Sequence, residues 1–397
     1  IAKAIASALM ERGASSQLLT LDELEPDQIE RTVRELFRTD QRSEQDDPPC
    51  EGVLDLRAFA PPRGQEDEFL AALDEFNHQT FALLRGAYER LVFEASGPDE
   101  QVACYVAVTA MGGDLGLMGC EAGSLLGAHL LGLVKGLKQE LPALQAKTID
   151  FDRALDPDEV ARNVLDEIED GNDRMEVGWA GRRFVTNLER RNFVSDDPVV
   201  RRLGHGDVFV FSGGSRGVVF ECALALARLG VQVVVSGRTE EPDPNAAWLG
   251  LDEDGFESFR RQLLDKRRRE DPRLTPVAFG REFDRYRQQR ELHRNLARSR
   301  ALGLPVHYEV CDVSSRPSVV NLVARVRERF GKIDGVAHGA MVEWSRSLPS
   351  KTDDIVRKTT MVKVAGLLHL IEATREDTLK VFVAFGSGAG RFGNRGQ

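Results

Sequence analysis

Asp207-Val208-Phe209-Val210-Phe211-Ser212-Gly213-Gly214-Ser215-Arg216-Gly217 is the stretch that decides the fold. Its β-branched and aromatic start predicts a strand over 207–211, which breaks at once into a serine and glycine turn. The apolar pattern over 218–229 predicts a helix stopping at Gly230, and a second apolar run, 231–235, leads into Ser236-Gly237-Arg238. Strand, glycine turn, helix and strand make one βαβ unit. Glycines let backbone approach a pyrophosphate, and the free amides of a helix start meet an anion. Ser212, Gly213, Gly214, Ser215, Arg216, Gly217 and Val218 are therefore expected to hold the phosphates of a dinucleotide.

The end of the second strand selects between dinucleotides. Sites for NAD usually place an acid there for the ribose hydroxyls, whereas Ser236 and Arg238 suit a 2′-phosphate, and Arg216 in the turn adds a second cation. The expected cofactor is NADPH. The alternative is that both arginines are solvated surface residues.

A chain of 397 residues is long enough for two domains, each with its own core. A net charge of −11 argues against nucleic acid and anionic lipid as partners and makes the cytoplasm the default environment. Five scattered cysteines (Cys50, Cys104, Cys120, Cys222, Cys311) without a Cys-x-x-Cys pair argue against disulfides and against a metal site. No apolar run has transmembrane length, and the first residues lack a signal-peptide core. The chain starts at Ile1 inside a helical pattern and ends just after a glycine turn, which reads as a fragment.

The first half alternates strands and helices. Strands are expected at 17–21, 52–56, 102–110 and 146–151, and helices at the start, up to 42, over 66–93 and over 124–141. An acidic helix then covers 156–173 and a strand pair 176–184. The run 102–110 is almost wholly apolar and should be central in its sheet. This half reads as a nucleotide-binding fold without its nucleotide, since Gly112-Gly113 is a tight turn rather than a phosphate loop. The domain boundary is expected at a linker over 188–206, giving units of 1–187 and 207–397.

In the second half, 239–304 departs from a minimal dinucleotide fold. The run Lys266-Arg267-Arg268-Arg269 is interleaved with Asp265, Glu270 and Asp271 and reads as a solvated helix face. The helix over 281–300 carries little apolar surface, so the insertion is expected on the outside. A strand over 305–310 ends in Cys311-Asp312, where the acid either caps the adenine or caps the segment from Ser314. The strand over 333–338 breaks into Gly339-Ala340, small residues that let backbone pass a cofactor ribose. His338 is assigned no proton chemistry.

A single helix is expected over 353–373, with Lys363, Leu367, Leu370 and Ile371 on one face. A lysine on a sheet-facing stripe either snorkels outward or serves the cofactor. The strand over 380–385 runs into Gly386-Ser387-Gly388, placing a serine at the carboxyl end of a strand expected to be central. That serine is either a turn former or a hydrogen-bond donor to a substrate carbonyl.

Together these residues resemble the ketoreductase domains of polyketide and polyunsaturated fatty acid synthases, within the short-chain dehydrogenase/reductase superfamily. The resemblance implies an α/β fold of two Rossmann-like subdomains with doubly wound parallel sheets, the first truncated and structural, the second catalytic. The first half matches through Gly132-Leu133-Val134-Lys135 and Glu176-Val177-Gly178. In the second half Ser212 to Val218 is similar to the cofactor loop, Cys311-Asp312-Val313 to the adenine-side acid and its neighbour, and the stretch from Phe385 to the segment that leads into the active-site tyrosine. Trp248 and Thr275-Pro276 look most like the polyunsaturated fatty acid synthase version. Lys363 and Ser387 stand twenty-four positions apart, as the family's catalytic lysine and serine do.

The resemblance implies NADPH-dependent reduction of a β-ketoacyl group on an acyl carrier protein, beside neighbouring synthase domains. Lys363 and Ser387 would be catalytic, and Ser212–Val218, Ser236, Arg238, Asp312, Val313, Gly339, Ala340 and Lys363 would bind the cofactor. The family's tyrosine would fall three positions past Gln397, so these residues by themselves are expected to bind NADPH without useful turnover. Met341, Gly386 and Val219 depart from the family pattern. Two rival readings are a catalytically silent structural domain and a free-standing dehydrogenase acting on a small ketone.

Overall fold

The computed structural model describes residues 1–21, 24–37, 52–59, 66–96, 103–120, 124–190 and 203–397. Of the linker expected over 188–206, residues 191–202 lie outside the described set. By packing, Ile1–Arg191 forms one compact unit with Glu343–Thr359 and Gly386–Gln397, and Asn192–Val342 forms a second with Thr360–Phe385. Two segments from the second half thus pack with the first unit, a return that a division along the sequence does not show.

The first unit runs α1 (Ala2–Glu11), α2 (Pro26–Leu36), β1 (Gly52–Asp55), α3 (Glu66–Ser96), β2 (Cys104–Thr109), α4 (Leu125–Glu140), β3 (Gln145–Phe151), α5 (Pro157–Glu169), β4 (Glu176–Trp179) and β5 (Arg183–Phe184). Its strands stand in the order β1-β2-β3-β4-β5, parallel until β5 folds back on β4. The apolar run of β2 is buried from Tyr105 to Thr109, as continuous hydrophobicity requires of a strand covered on both faces. Val106, Val108, Ile149 and Phe151 pack against Ile5 of α1 and against Val160 and Val164 of α5. The strand expected at 17–21 does not form. Leu21 is buried as a single side chain, and no described neighbour offers the stretch a hydrogen-bond ladder.

The second unit holds β6 (Val208–Ser212), α6 (Gly217–Ala227), β7 (Gln232–Gly237), α7 (Glu253–Glu270), α8 (Pro276–Ala301), β8 (Val306–Val310), α9 (Arg316–Phe330) and β9 (Gly335–His338). After α10 (Asp353–Thr360) come a π-helical turn, Met361–Ala365, then α11 (Gly366–Ala373) and β10 (Val381–Ala384); α12 (Gly388–Phe392) packs with the first unit. All five strands are parallel, in the order β10-β9-β6-β7-β8. Local chemistry agrees with the global layout: α9 takes Pro317 in its first turn and ends on Gly331 at φ +78°.

The insertion is richer than its charge suggested. Thr275 caps α8 by accepting the Ala278 N–H, and Asp252 caps α7 by accepting the Gly255 N–H. Phe256, Phe279 and Phe283 are buried between the two helices, with Trp248, Phe259 and Tyr286 against them. The expectation of little apolar surface missed this cluster because the aromatics are diluted among arginines. One of those arginines is itself part of it: Arg290 is 4 % exposed, with its guanidinium 4.2 Å from the Phe256 ring centre. The basic run behaves as expected of a solvated face, Arg267 reaching Glu270 and Glu282 at the surface.

Phe283, 1 % exposed, contacts most of this cluster. Phe283→Ala is expected to cost about 3–5 kcal/mol of local stability. Urea unfolding followed by Trp248 fluorescence, with the other tryptophans replaced, measures it.

Candidate dinucleotide site

Strand β6 lies between β7 and β9, and the chain leaves it in opposite directions to reach the two. That reversal makes a crevice beyond the carboxyl ends of β6 and β9. Backbone crosses backbone closely there. Gly213 has φ +69°, and a Cβ on it would stand 2.5 Å from the Ala340 Cα. The Gly339 N–H donates to the Ser212 carbonyl at 2.9 Å, and a Cβ on Gly339 would stand 2.7 Å from Val219 Cγ2. At Gly214 the obstacle is Phe211, whose Cβ would be 2.7 Å away. Gly217, at φ +59°, has open space where a Cβ would stand, and Arg216 before it offers α6 no side-chain cap. The first amides of α6 thus open onto an uncrowded surface beside the exposed Val218, an arrangement that fits a pyrophosphate.

The polar residues around this turn divide into two groups. Arg238 is exposed and makes no ion pair among the described residues, and Arg216 has only a 3.9 Å approach to Glu291. Both are available to an anion. Ser236 is not: its hydroxyl is fully buried and donates to the Phe211 carbonyl at 3.3 Å, so the expectation that it meets a 2′-phosphate is corrected. Ser215 is 6 % exposed, and its carbonyl accepts from the Asn295 side chain of α8 at 3.0 Å. One Asp312 carboxylate oxygen accepts both the N–H and the hydroxyl of Ser314. Val313 is buried, and its carbonyl accepts from His369 Nδ1 at 2.9 Å.

Lys363 does not sit in one continuous helix. The π turn inserts between α10 and α11, which breaks the stripe expected with Ile371, now 46 % exposed. The Lys363 ammonium is half-buried, has no carboxylate partner among the described residues, and has its pKa lowered by burial. Its carbonyl accepts from His338 Nε2 at 2.9 Å, and His338 Nδ1 lies 2.7 Å from Ser212 Oγ. Burial, then the nearby Lys363 charge, pushes the His338 imidazole down to about 4, so it is neutral at physiological pH. His338, given no proton chemistry from the sequence, is a buried hydrogen-bonded ring, and Asn295 is the residue sequence reasoning missed. Nothing in the sequence around Asn295 signals its bond to the Ser215 carbonyl.

Ser387 packs with the first unit, Lys363 with the second. Ser387 is exposed and its Oγ accepts the Ala389 N–H at 3.1 Å, capping α12 while leaving its own O–H proton to donate elsewhere. Strand β10 before it pairs only with β9 and is the edge of the described sheet, not a central strand. The segment after Ser387 is tied down within its unit. Arg391 reaches Glu176, which also pairs with the buried Lys135, and a Cβ on Gly393 would stand 2.4 Å from the Lys135 carbonyl.

The first unit has a glycine turn after β2, and its amides are already occupied. Asp150 at the end of β3 accepts the Met111 N–H and the Thr109 hydroxyl with one oxygen, and the Gly113 and Leu115 N–H groups with the other. The unit supplies its own anion where a phosphate loop would hold a ligand's. Burial outweighs these donors, leaving the Asp150 pKa raised.

A doubly wound α/β sheet with a glycine turn at its reversal point defines the class, a Rossmann-like dinucleotide fold. Residues 273–397 match the family model described as KR domain. Over 333 residues, 80 % of the chain, it is 25 % identical to a polyunsaturated fatty acid synthase polypeptide of Thraustochytrium sp.. Over 272 residues, 68 % of the chain, it is 24 % identical to polyketide synthase PksL of Bacillus subtilis. It spans 12 % and 5 % of the length of those two proteins. The fold superposes on an N-terminal ketoreductase from the macrolactin assembly line with a TM-score of 0.66 at 16 % identity, covering all of this chain and 70 % of that one. The chain is thus similar to a KR domain over its last third and to polyketide and polyunsaturated fatty acid synthase polypeptides over most of its length, and its fold is that of ketoreductase domains. Among the described residues no helix is long and apolar enough to cross a membrane.

Asp150→Asn would turn an amide N–H₂ toward two backbone donors in a buried nest. The expected loss is roughly 2–5 kcal/mol, read from thermal or urea unfolding. His338 gives a pH prediction. Its folded pKa of about 4 lies below the ordinary 6.5, so its contribution is complete above 6.5 and is lost as pH falls toward 4. The melting temperature should fall across that window, and fall less steeply in His338→Gln, which cannot titrate.

Proposed function

We propose that this chain works in NADPH-dependent reduction of a β-ketoacyl group carried on an acyl carrier protein to the β-hydroxyacyl group, in the cytoplasm beside other synthase domains. The observation that carries this reading is the link from the glycine turn to Lys363. Ser212 opens the turn, His338 bridges from its hydroxyl to the Lys363 carbonyl, and the half-buried ammonium has no counter-ion among the described residues. A half-buried ammonium left unpaired on the turn that His338 ties to the glycine loop suits a site for a polyanionic cofactor. The names of the synthases to which the chain is similar support a fatty acyl or polyketide chain as the substrate class.

In this reading the α6 amides and Gly213 to Gly217 hold the pyrophosphate, and Arg216 and Arg238 hold the 2′-phosphate. Gly339 and Ala340 give the ribose a wall of small residues. Bound NADPH supplies the hydride. Lys363 bonds the nicotinamide ribose and keeps positive charge near the reacting carbonyl, and Ser387 donates its free O–H to the ketone oxygen as negative charge grows there.

Cofactor preference tests the anion-binding part by fluorescence titration. Replacing both Arg216 and Arg238 by alanine should weaken NADPH about 10–100-fold, the worth of one or two charge-assisted hydrogen bonds, and leave NADH unchanged. Equal affinity of the unaltered protein for NADH and NADPH would remove the 2′-phosphate assignment. In the complete protein, NADPH oxidation with a carrier-bound β-ketoacyl thioester should exceed that with a diffusible ketone and should collapse in Ser387→Ala. NADPH bound but never oxidised would point instead to a structural domain that keeps a cofactor pocket.

A further inference from the structure

We propose that His338 is a positioning residue for Lys363, a fixed-tautomer strut that holds the π turn in the register its ammonium needs. The inference rests on the role given to Lys363 above. The Lys363 carbonyl can only accept, so His338 Nε2 carries the proton of the 2.9 Å bond. A neutral ring then presents a bare Nδ1, and the fully buried Ser212 hydroxyl donates to it at 2.7 Å. One imidazole therefore joins the buried hydroxyl at the end of β6 to a part-buried carbonyl of the π turn, which the Gly366 N–H also reaches, and both of its nitrogens are used.

The strut acts where the helix is irregular. A π turn carries one residue more than an α turn, and the Gly366 N–H reaches back to the Met361 carbonyl as that spacing demands while also approaching the Lys363 carbonyl. Relaxing it to an α turn would rotate the flanking residues against each other by about 100°, the angle per residue of an α-helix. Lys363 would swing away from its present direction. The helix is also seated directly on the ring, since a Cβ on Gly366 would stand 3.0 Å from His338 Cε1 and 2.9 Å from Val313 Cγ2. A ring that only filled space would not need both nitrogens used. Here the two hydrogen bonds fix the height and rotation of the one turn that bears the lysine.

The test is a double-mutant cycle on NADPH affinity. His338→Leu fills much of the volume without either hydrogen bond, whereas in His338→Gln the amide spaces its acceptor and donor much as the imidazole does. His338→Leu is expected to weaken NADPH by about tenfold or more, His338→Gln by no more than about threefold, and His338→Leu in a Lys363→Ala background by nothing further. Losses that simply add, or a glutamine variant as weak as the leucine one, would overturn the strut. An unchanged affinity in Lys363→Ala alone would instead remove the role of Lys363 on which it rests. Nitrogen-15 NMR of the imidazole keeps the idea testable if His338→Leu does not fold: the proton must be on Nε2, and a proton on Nδ1 ends the proposal.

Discussion

Everything in the second unit depends on how closely backbone can cross backbone where β6 and β9 end. Gly213 lies against Ala340, Gly339 against Val219, and the Gly339 N–H closes onto the Ser212 carbonyl. A side chain at either glycine would push the two strand ends apart. The crevice, the uncapped start of α6 and the seat of His338 all follow from that contact. Glycine is required here by space as much as by dihedral angle, because Gly213 alone of the two has φ in the left-handed region.

The two units solve one electrostatic problem in opposite ways. Each has loop amides gathered after a parallel strand, a concavity that favours negative charge. In the first unit Asp150 from the neighbouring strand fills that concavity with a carboxylate. In the second unit no side chain caps α6, and the nearby arginines are left exposed. One loop is a closed structural joint, and the other is open to a ligand.

Much of this is legible in the sequence. Apolar runs and glycine breaks mark the strands of both sheets because burial and turn geometry act locally. The turn 212–218 can be read as a phosphate loop for the same reason, and the Gly112-Gly113 pair as a turn only. Long-range partners are not legible. Nothing around residue 150 announces that its carboxylate meets amides some forty positions earlier, and nothing at Ser236 says that its hydroxyl turns into the sheet. The aromatic insertion looks like bare surface in the sequence because arginine outnumbers phenylalanine along α8 while phenylalanine lines the buried side. The π turn escapes periodicity altogether, since its effect is to break the period by which helices are recognised.

The bond from Asn295 to the Ser215 carbonyl has a consequence for how tightly the glycine turn can bind. A phosphate loop that must order itself on meeting its ligand loses part of the binding free energy to conformational entropy. Here α8, stiffened by its own aromatic packing, grips the loop at Ser215, and its Arg298 holds the second turn of α6 through Glu221. The insertion is therefore a source of preorganisation, and the affinity of the turn is set partly by a helix that need never touch what the turn holds.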